Sequence, residues 1–337
     1  MSGPSEVYLG IDVGGSSIKA GVLTGSGEIL ARRHAPSALG EGLEAGLTNL
    51  EQICREIVRE SRLDWDDIRG VGVAAPGTMD IPAGIVHHPF NLPGWENLPL
   101  RQIVSDRLGK PAVLQNDANA AALGESWLGS AKGARSLLFW TLGTGVGGGI
   151  VLEGKIWEGA HSHAAECGHI IIQMEGGPPS PFNIHGSVEL YVGGLALMRR
   201  CREALDAGRP SILRDSSRAE STLTPLMIAE AAEDGDELAT ELILDSARYL
   251  AVGSVNVIHI LNPEMILVGG AMTFGQNNTS LGRRFLETLR REVAARTFPI
   301  PAQRTRIDYA SLGGDAGFIG AAACARAAFP RTMEPQH

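Results

Sequence analysis

The sequence predicts an α/β protein of two lobes, an internally duplicated fold with a central cleft. Three observations predict it: a length of 337 residues, a strand-and-helix pattern that recurs once, and a Gly-rich turn at the same point of each copy. The length exceeds what one small core needs and suits two lobes of ordinary size. Hydrophobic residues make up 44% and charged residues 20%, the balance of a globular chain and not of a disordered one.

The first copy opens with the apolar run Val7-Tyr8-Leu9-Gly10-Ile11, which ends at Asp12-Val13-Gly14-Gly15. Ser17 to Leu23 and Glu28 to Ala31 follow, so three short strands separated by Gly-rich turns read as a meander. Leu43, Leu47, Leu50, Ile53, Ile57 and Val58 have helical spacing, and Val71-Gly72-Val73-Ala74 is a buried strand.

The second copy runs Leu137 to Leu142, a turn at Gly143-Thr144-Gly145, and Val146 to Leu152, with a hairpin turn at Gly154-Lys155. His169 to Ile172 is the expected third strand, residues 236–261 a long amphipathic helix, and Met265 to Val268 the strand after it. Segments 174–187 and 207–222 read as loops. The last apolar helix, roughly 317–328, fits either lobe by its pattern. The lobes are set at 1–120 plus about 317–330, and at 121–316.

Lys plus Arg total 29 and Asp plus Glu 38, a net charge of −9 that argues against nucleic acid or an anionic membrane as partner. The four cysteines are scattered, with no C-x-x-C pair, so neither a disulfide framework nor a zinc ribbon is indicated. With no leader pattern and no membrane-length apolar run, a cytoplasmic protein is expected.

Chemistry concentrates in the turns. In Asp12-Val13-Gly14-Gly15-Ser16-Ser17-Ile18-Lys19, paired glycines with φ > 0 could bring backbone N–H groups against an anion, the serines adding donors. Asp12 could hold Mg²⁺ through water. A plain hairpin turn explains the same residues. The run Thr141-Leu142-Gly143-Thr144-Gly145-Val146-Gly147-Gly148-Gly149 is richer in glycine than a hairpin needs and favours a ligand. It lacks the Gly-Lys-Ser/Thr of a P-loop, and strand follows where a dinucleotide fingerprint opens a helix. Gly269-Gly270, after a buried strand, is a third turn of this kind. In Asn116-Asp117, Asp117 reads either as a helix-start acid or as a catalytic carboxylate.

The two turns together resemble the phosphate loops of the actin-like sugar kinases, of ribonuclease H-like fold. Leu142-x-x-Gly145-Val146-Gly147-x-Gly149-Ile150, then Gly159, Ala165 and Gly168-His169, resembles the signature of the ROK family (repressors, open reading frames and kinases), over about residues 7–328. ROK repressors carry a helix-turn-helix before the first phosphate loop; with that loop at Asp12, the kinase branch is implied. The resemblance implies ATP and Mg²⁺ as cofactors. It implies phosphate and nucleotide contacts from Asp12, Gly14, Gly15, Ser16, Ser17, Lys19, Thr141, Gly143, Thr144, Gly145, Gly147, Gly269 and Gly270. It implies Asp117 as general base and Gly77, Asn91, Asn116, Asp117, Glu166, His169 and Glu189 as sugar contacts. Core packing is the expected role of Trp95.

The chain departs from the family in one respect. Many members bind structural zinc through three cysteines and the histidine of Glu-x-Gly-His. Here Ser180, Phe182 and Ser187 stand at the thiolate positions, so no structural zinc is expected; His161, His163 and His185 are poorly spaced substitutes. Ala165 stands where glycine is frequent, a change tolerable unless the position needs φ > 0. The implied reaction is ATP-dependent phosphorylation of a hexose, glucose first. Fructose, mannose, allose and N-acetylmannosamine are the alternatives, and a sugar-sensing regulator without catalysis is the other class. Relatives imply a homo-oligomer, dimer or tetramer.

Overall fold

The protein is described by a computed structural model covering residues 6–89, 92–180, 183–214 and 223–330. The chain divides into two compact units: Met1–Gly133 with Gly149–Ala165 and Leu312–His337, and Ala134–Gly148 with Glu166–Ser311.

In the first unit, β1 (Val7–Val13), β2 (Ser17–Thr24) and β3 (Ile29–Pro36) form the expected meander. Helix α1 (Leu43–Glu60) crosses over to β4 (Ile68–Ala75), which lies parallel to β1. The hairpin β5 (Thr78–Asp80) and β6 (Ile85–His88) and helix α2 (Leu100–Leu108) precede β7 (Ala112–Asn116), parallel to β4. The sheet order is β3-β2-β1-β4-β7. The period of two along β1 sorts its side chains. Val7, Leu9, Ile11 and Val13 join the core that includes the buried face of α1, whereas Tyr8 joins Leu23 and Phe318. Gly10 and Asp12 therefore share the Tyr8 face.

That face carries a glycine row, since Gly10 is the register partner of both Gly21 and Gly72. A Cβ on Gly10 would collide with the backbone of Phe318, and one on Gly72 with the carbonyl of Ala321. The C-terminal helix, Ala316–Ala328, lies in the track this row opens and belongs to the first unit. Trp95 is fully buried in the core, as expected.

The second sheet repeats the topology. β8 (Ser136–Leu142), β9 (Val146–Leu152) and β10 (Lys155–Ile156) correspond to the meander, and β11 (Met265–Gly269) and β12 (Arg306–Tyr309) to the parallel strands, in the order β10-β9-β8-β11-β12. Strand β9 passes from the second unit into the first after Gly148. The second unit's helices include α4 (Glu189–Val192), α5 (Gly194–Asp206), α6 (Pro225–Glu233) and the long crossover helix α7 (Glu237–Leu261).

One expected strand is absent. His169 to Ile172 is not the third strand of the second meander; the two-residue β10 takes that position, and Cys167–His169 forms a 3-10 turn. Gly168 packs so closely on the carbonyl of Val146 that a Cβ has no room, and Ile171 is 58% exposed. Loop 174–187 is irregular where described, with isolated bridges Ile171–Ser187 and Pro179–His185. The expected loop 207–222 is described only as far as residue 214.

Candidate active site

In the first unit the site residues gather where β1, β7 and the C-terminal helix meet. Asp12, next to last in β1, stands opposite Lys19 on β2, with Lys19 Nζ 3.6 Å from Asp12 Oδ2. The period of two turns Asp12 toward the C-terminal helix, where a Cβ on Gly317 would stand only 2.5 Å from Oδ2. Burial pushes the Asp12 carboxyl up to about 6, helped by the negative charge of Asp117 and opposed by Lys19.

The turn between β1 and β2 closes through Gly14 N–H to the Ser17 carbonyl at 2.9 Å. Neither Gly14 nor Gly15 has positive φ, contrary to expectation. What glycine contributes here is space: a Cβ on Gly14 would lie 3.2 Å from the Ser17 oxygen. Ser37 braces the turn from outside, its hydroxyl donating to the Gly15 carbonyl at 2.7 Å and its N–H to the Ser16 carbonyl at 3.1 Å. The Ser16 and Lys19 side chains are thus carried on a held backbone.

Asn116 and Asp117 open helix α3 (Asp117–Trp127), and the cap is Asn116. Its Oδ1 accepts from Ala118 N–H at 3.0 Å and Asn119 N–H at 3.2 Å, satisfying orphan donors of the first turn. Asp117 is therefore not needed as the cap. One of its oxygens accepts from Ala118 N–H at 2.8 Å, and its own backbone N–H also bonds the carboxylate. Burial raises the Asp117 carboxyl above its ordinary range against the pull of its backbone bonds and Lys19. A half-buried carboxylate of raised pKa is equipped to accept a proton.

The supports of this pair were not legible. Gln115 accepts from Asn116 N–H at 2.8 Å and donates to Glu158 at 2.8 Å, fixing the strand end before the cap. Gly77, at φ 97°, runs beside the His88 carbonyl and Pro89, and its oxygen is 3.5 Å from Asn116 Nδ2. Asn91 lies outside the described residues.

In the second unit the turn after β8 is held from three sides. Gly143 N–H donates to Gly145 O at 3.0 Å, Gly194 N–H to Gly143 O at 2.9 Å, and Leu195 N–H to Thr144 O at 3.1 Å. Glu189 Oε2 accepts from Val146 N–H at 2.9 Å, and Gly145 leaves no room for a Cβ beside that carboxylate. Thr141 pairs in register with Gly269, and Gly270, at φ 91°, packs against the Leu142 backbone. Gly147 lies two residues past the turn, inside β9. Glu166 and His169 share the 3-10 turn, with His169 Nε2 4.0 Å from Glu166 Oε2. These neighbouring carboxylates and imidazole can bond vicinal hydroxyls.

Gly143, Thr144 and Gly194 also form one end of a cavity of about 830 Å³ within the second unit. Leu195, Met198, Leu226, Met272 and Phe274 supply apolar wall, and Glu230 and Glu233 carboxylates lie at its edge. A largely apolar cavity bordered by a glycine turn suits a flat base carrying phosphates. Sequence reasoning missed α5 and α6 here. The Gly193-Gly194 pair before an amphipathic helix was the available signal.

At the positions of the family's zinc cysteines, Ser180 Oγ accepts from Ile184 N–H at 3.1 Å and Ser187 is buried. Phe182 lies outside the described residues. His185 contacts the Gly177 carbonyl at 3.2 Å. Among the described residues, no cluster of three or more His, Cys, Asp or Glu could hold a metal ion. Ala165, where tolerance was conditional, has φ 66°, so the position does require the left-handed region.

Comparison with known proteins identifies the family. The ROK family model matches residues 8–328. A glucokinase of Halalkalibacterium halodurans is 33% identical over 313 residues, 93% of each chain. The solved ROK hexokinase of Thermus thermophilus is 30% identical, with a TM-score of 0.79 over 96% of this chain and 98% of that one. A ROK family glucokinase of Streptomyces griseus, solved with glucose and AMPPNP, is 29% identical, with a TM-score of 0.77 over 95% and 99%. The duplicated α/β fold with its paired glycine turns is that of the actin-like ATPases, and the chain belongs to the ROK family.

Proposed function

We propose that the protein is an ATP-dependent hexose kinase with glucose as its preferred acceptor and Asp117 as the general base. The observation that carries the reading is the division of labour at α3: Asn116 caps the helix, which leaves Asp117, its carboxyl raised by burial, outside the capping role. The second unit's cavity takes the adenosine, with the phosphates against the Gly143–Gly145 turn. Asp12, Ser16, Ser17 and Lys19 supply the polar groups of the other glycine turn.

In the reaction the sugar's primary hydroxyl attacks the γ-phosphorus. Its oxygen forms the new P–O bond, the bond from the γ-phosphorus to the β,γ-bridging oxygen breaks, and ADP leaves. Asp117 accepts the hydroxyl proton. Little covalent work falls to the protein, so positioning dominates. Asn116 offers its amide N–H groups, and Glu166, His169 and Glu189 accept from the remaining hydroxyls. Mg²⁺, when bound, neutralises phosphate charge; the buried carboxylate of Asp12 fits it through water, because a cation there relieves the repulsion from Asp117. A cytoplasmic setting, a step at the entry to glycolysis and assembly as a dimer or tetramer belong to the same proposal.

An ADP-release assay over glucose, fructose, mannose, allose and N-acetylmannosamine tests it. Turnover highest with glucose is expected. Turnover highest with another hexose replaces the substrate, and no turnover with any of them favours the sugar-sensing regulator.

A further inference from the structure

Glu125, near the end of α3, is fully buried, and its two oxygens bind backbone N–H groups from two distant segments. Oε2 accepts from Ser130 at 2.9 Å and Oε1 from Leu312 at 2.7 Å. Both segments are passages between the compact units: the chain leaves the first unit after Gly133 and returns to it at Leu312. The Glu125 carbonyl also accepts from Gly129 and Ala131, each at 3.1 Å, and Gly129 has no room for a Cβ beside the carboxylate.

A buried carboxylate is costly unless its oxygens are bonded, and bonds to an ionised acceptor are the strong kind. The helix end does not require it, because the α3 C-cap Leu128 is satisfied by backbone carbonyls. Between the pinned Ser130 amide and the start of the second unit at Ala134 stands Gly133, at φ 88°, with nothing within 4 Å of where a Cβ would be. Such a residue changes torsion at little cost.

We infer that Glu125 is a positioning residue that ties two of the four inter-unit passages to one point on the first unit, with Gly133 taking the torsional change beyond the pinned Ser130 amide. The inference rests on the kinase reading only for its activity readout. Glutamate is suited to the role, since glutamine would set its amide N–H₂ against one of the two donors and aspartate is a methylene shorter.

Peptide-level hydrogen exchange on the full chain, with and without glucose, tests the tie alongside steady-state kinetics. In Glu125→Ala, peptides covering 128–133 and 311–315 should both exchange at least tenfold faster, while peptides of β1 and α1 keep wild-type rates. kcat should fall at least tenfold, with KM for glucose and ATP changed less than threefold. Glu125→Gln should release one segment only, with a smaller loss of kcat, and it decides the matter if Glu125→Ala does not fold. Wild-type exchange at both segments in either variant overturns the inference. So does acceleration spread evenly over the first unit, or, in a wild-type protein that phosphorylates hexose, an unchanged kcat. If the wild type phosphorylates no hexose, the kinase reading fails and the exchange data alone decide the tie.

Discussion

The backbone N–H of Val146 donates to Glu189 Oε2 at 2.9 Å, so a carboxylate proposed to bind the sugar also anchors the end of the turn proposed to take the phosphates. The two roles separate by substitution. Glu189→Gln keeps an acceptor for Val146 and should raise KM for glucose about tenfold while KM for ATP holds, since a bond to a charged group is worth about 1.5–3 kcal/mol. Glu189→Ala should raise both KM values. Equal effects of the two variants on ATP would contradict the anchoring role.

Asp12 gives a pH prediction with a definite sign. Its carboxyl rises from 3.8 to about 6 on folding, so the folded state binds this proton more tightly than the unfolded state. Its contribution to stability is full below about pH 4 and lost as pH rises through about 6. A shift of about two units corresponds to about 3 kcal/mol at most, on the order of 1.4 kcal/mol per unit. Asp12→Asn should therefore be more stable than wild type at pH 7.5, by about 1–3 kcal/mol in urea titrations, and no more stable at pH 4. Activity should move the other way at pH 7.5, because the variant loses the carboxylate assigned to Mg²⁺.

The sequence made the local half of this arrangement legible. The apolar run of β1, the two glycine turns and the Asn-Asp pair at a helix start lie within short windows, and each is found where expected. Non-local packing was not legible. The Gly21–Gly10–Gly72 row means nothing until three strands are in register, and only then is the C-terminal helix given a track. Asn116 and Asp117 are both good caps, and the choice between them depends on where α3 begins. His169 to Ile172 misled because a short apolar run reads as strand whether or not a core face awaits it. The cavity draws on α5 and α6, far from β8 in sequence, so periodicity could mark those helices but not their destination.

Ala165 stands at φ 66°, a strained region for a residue with a Cβ. Left-handed backbone costs about 1–2 kcal/mol, and glycine's greater unfolded-state freedom offsets about 0.4–1 of it. Ala165→Gly should raise stability by up to about 1 kcal/mol by these magnitudes, and an unfolding midpoint below wild type would count against the strain.

Loop 174–187 has serines at two positions where relatives of this family have zinc ligands, and Ser180 spends its hydroxyl on Ile184 N–H. Purified protein should contain far less than one zinc per chain, and a zinc chelator should leave its Tm unchanged. One zinc per chain by elemental analysis would contradict this.

The most direct test is Asp117→Ala, assayed for glucose-dependent ADP release and, separately, for ATP binding. Loss of a positioned general base should lower kcat by about 10²- to 10⁴-fold. The expected result is a loss of that size with ATP affinity within a few-fold of wild type. A variant that keeps near-normal kcat would show that the proton goes elsewhere and that Asp117 is not the base.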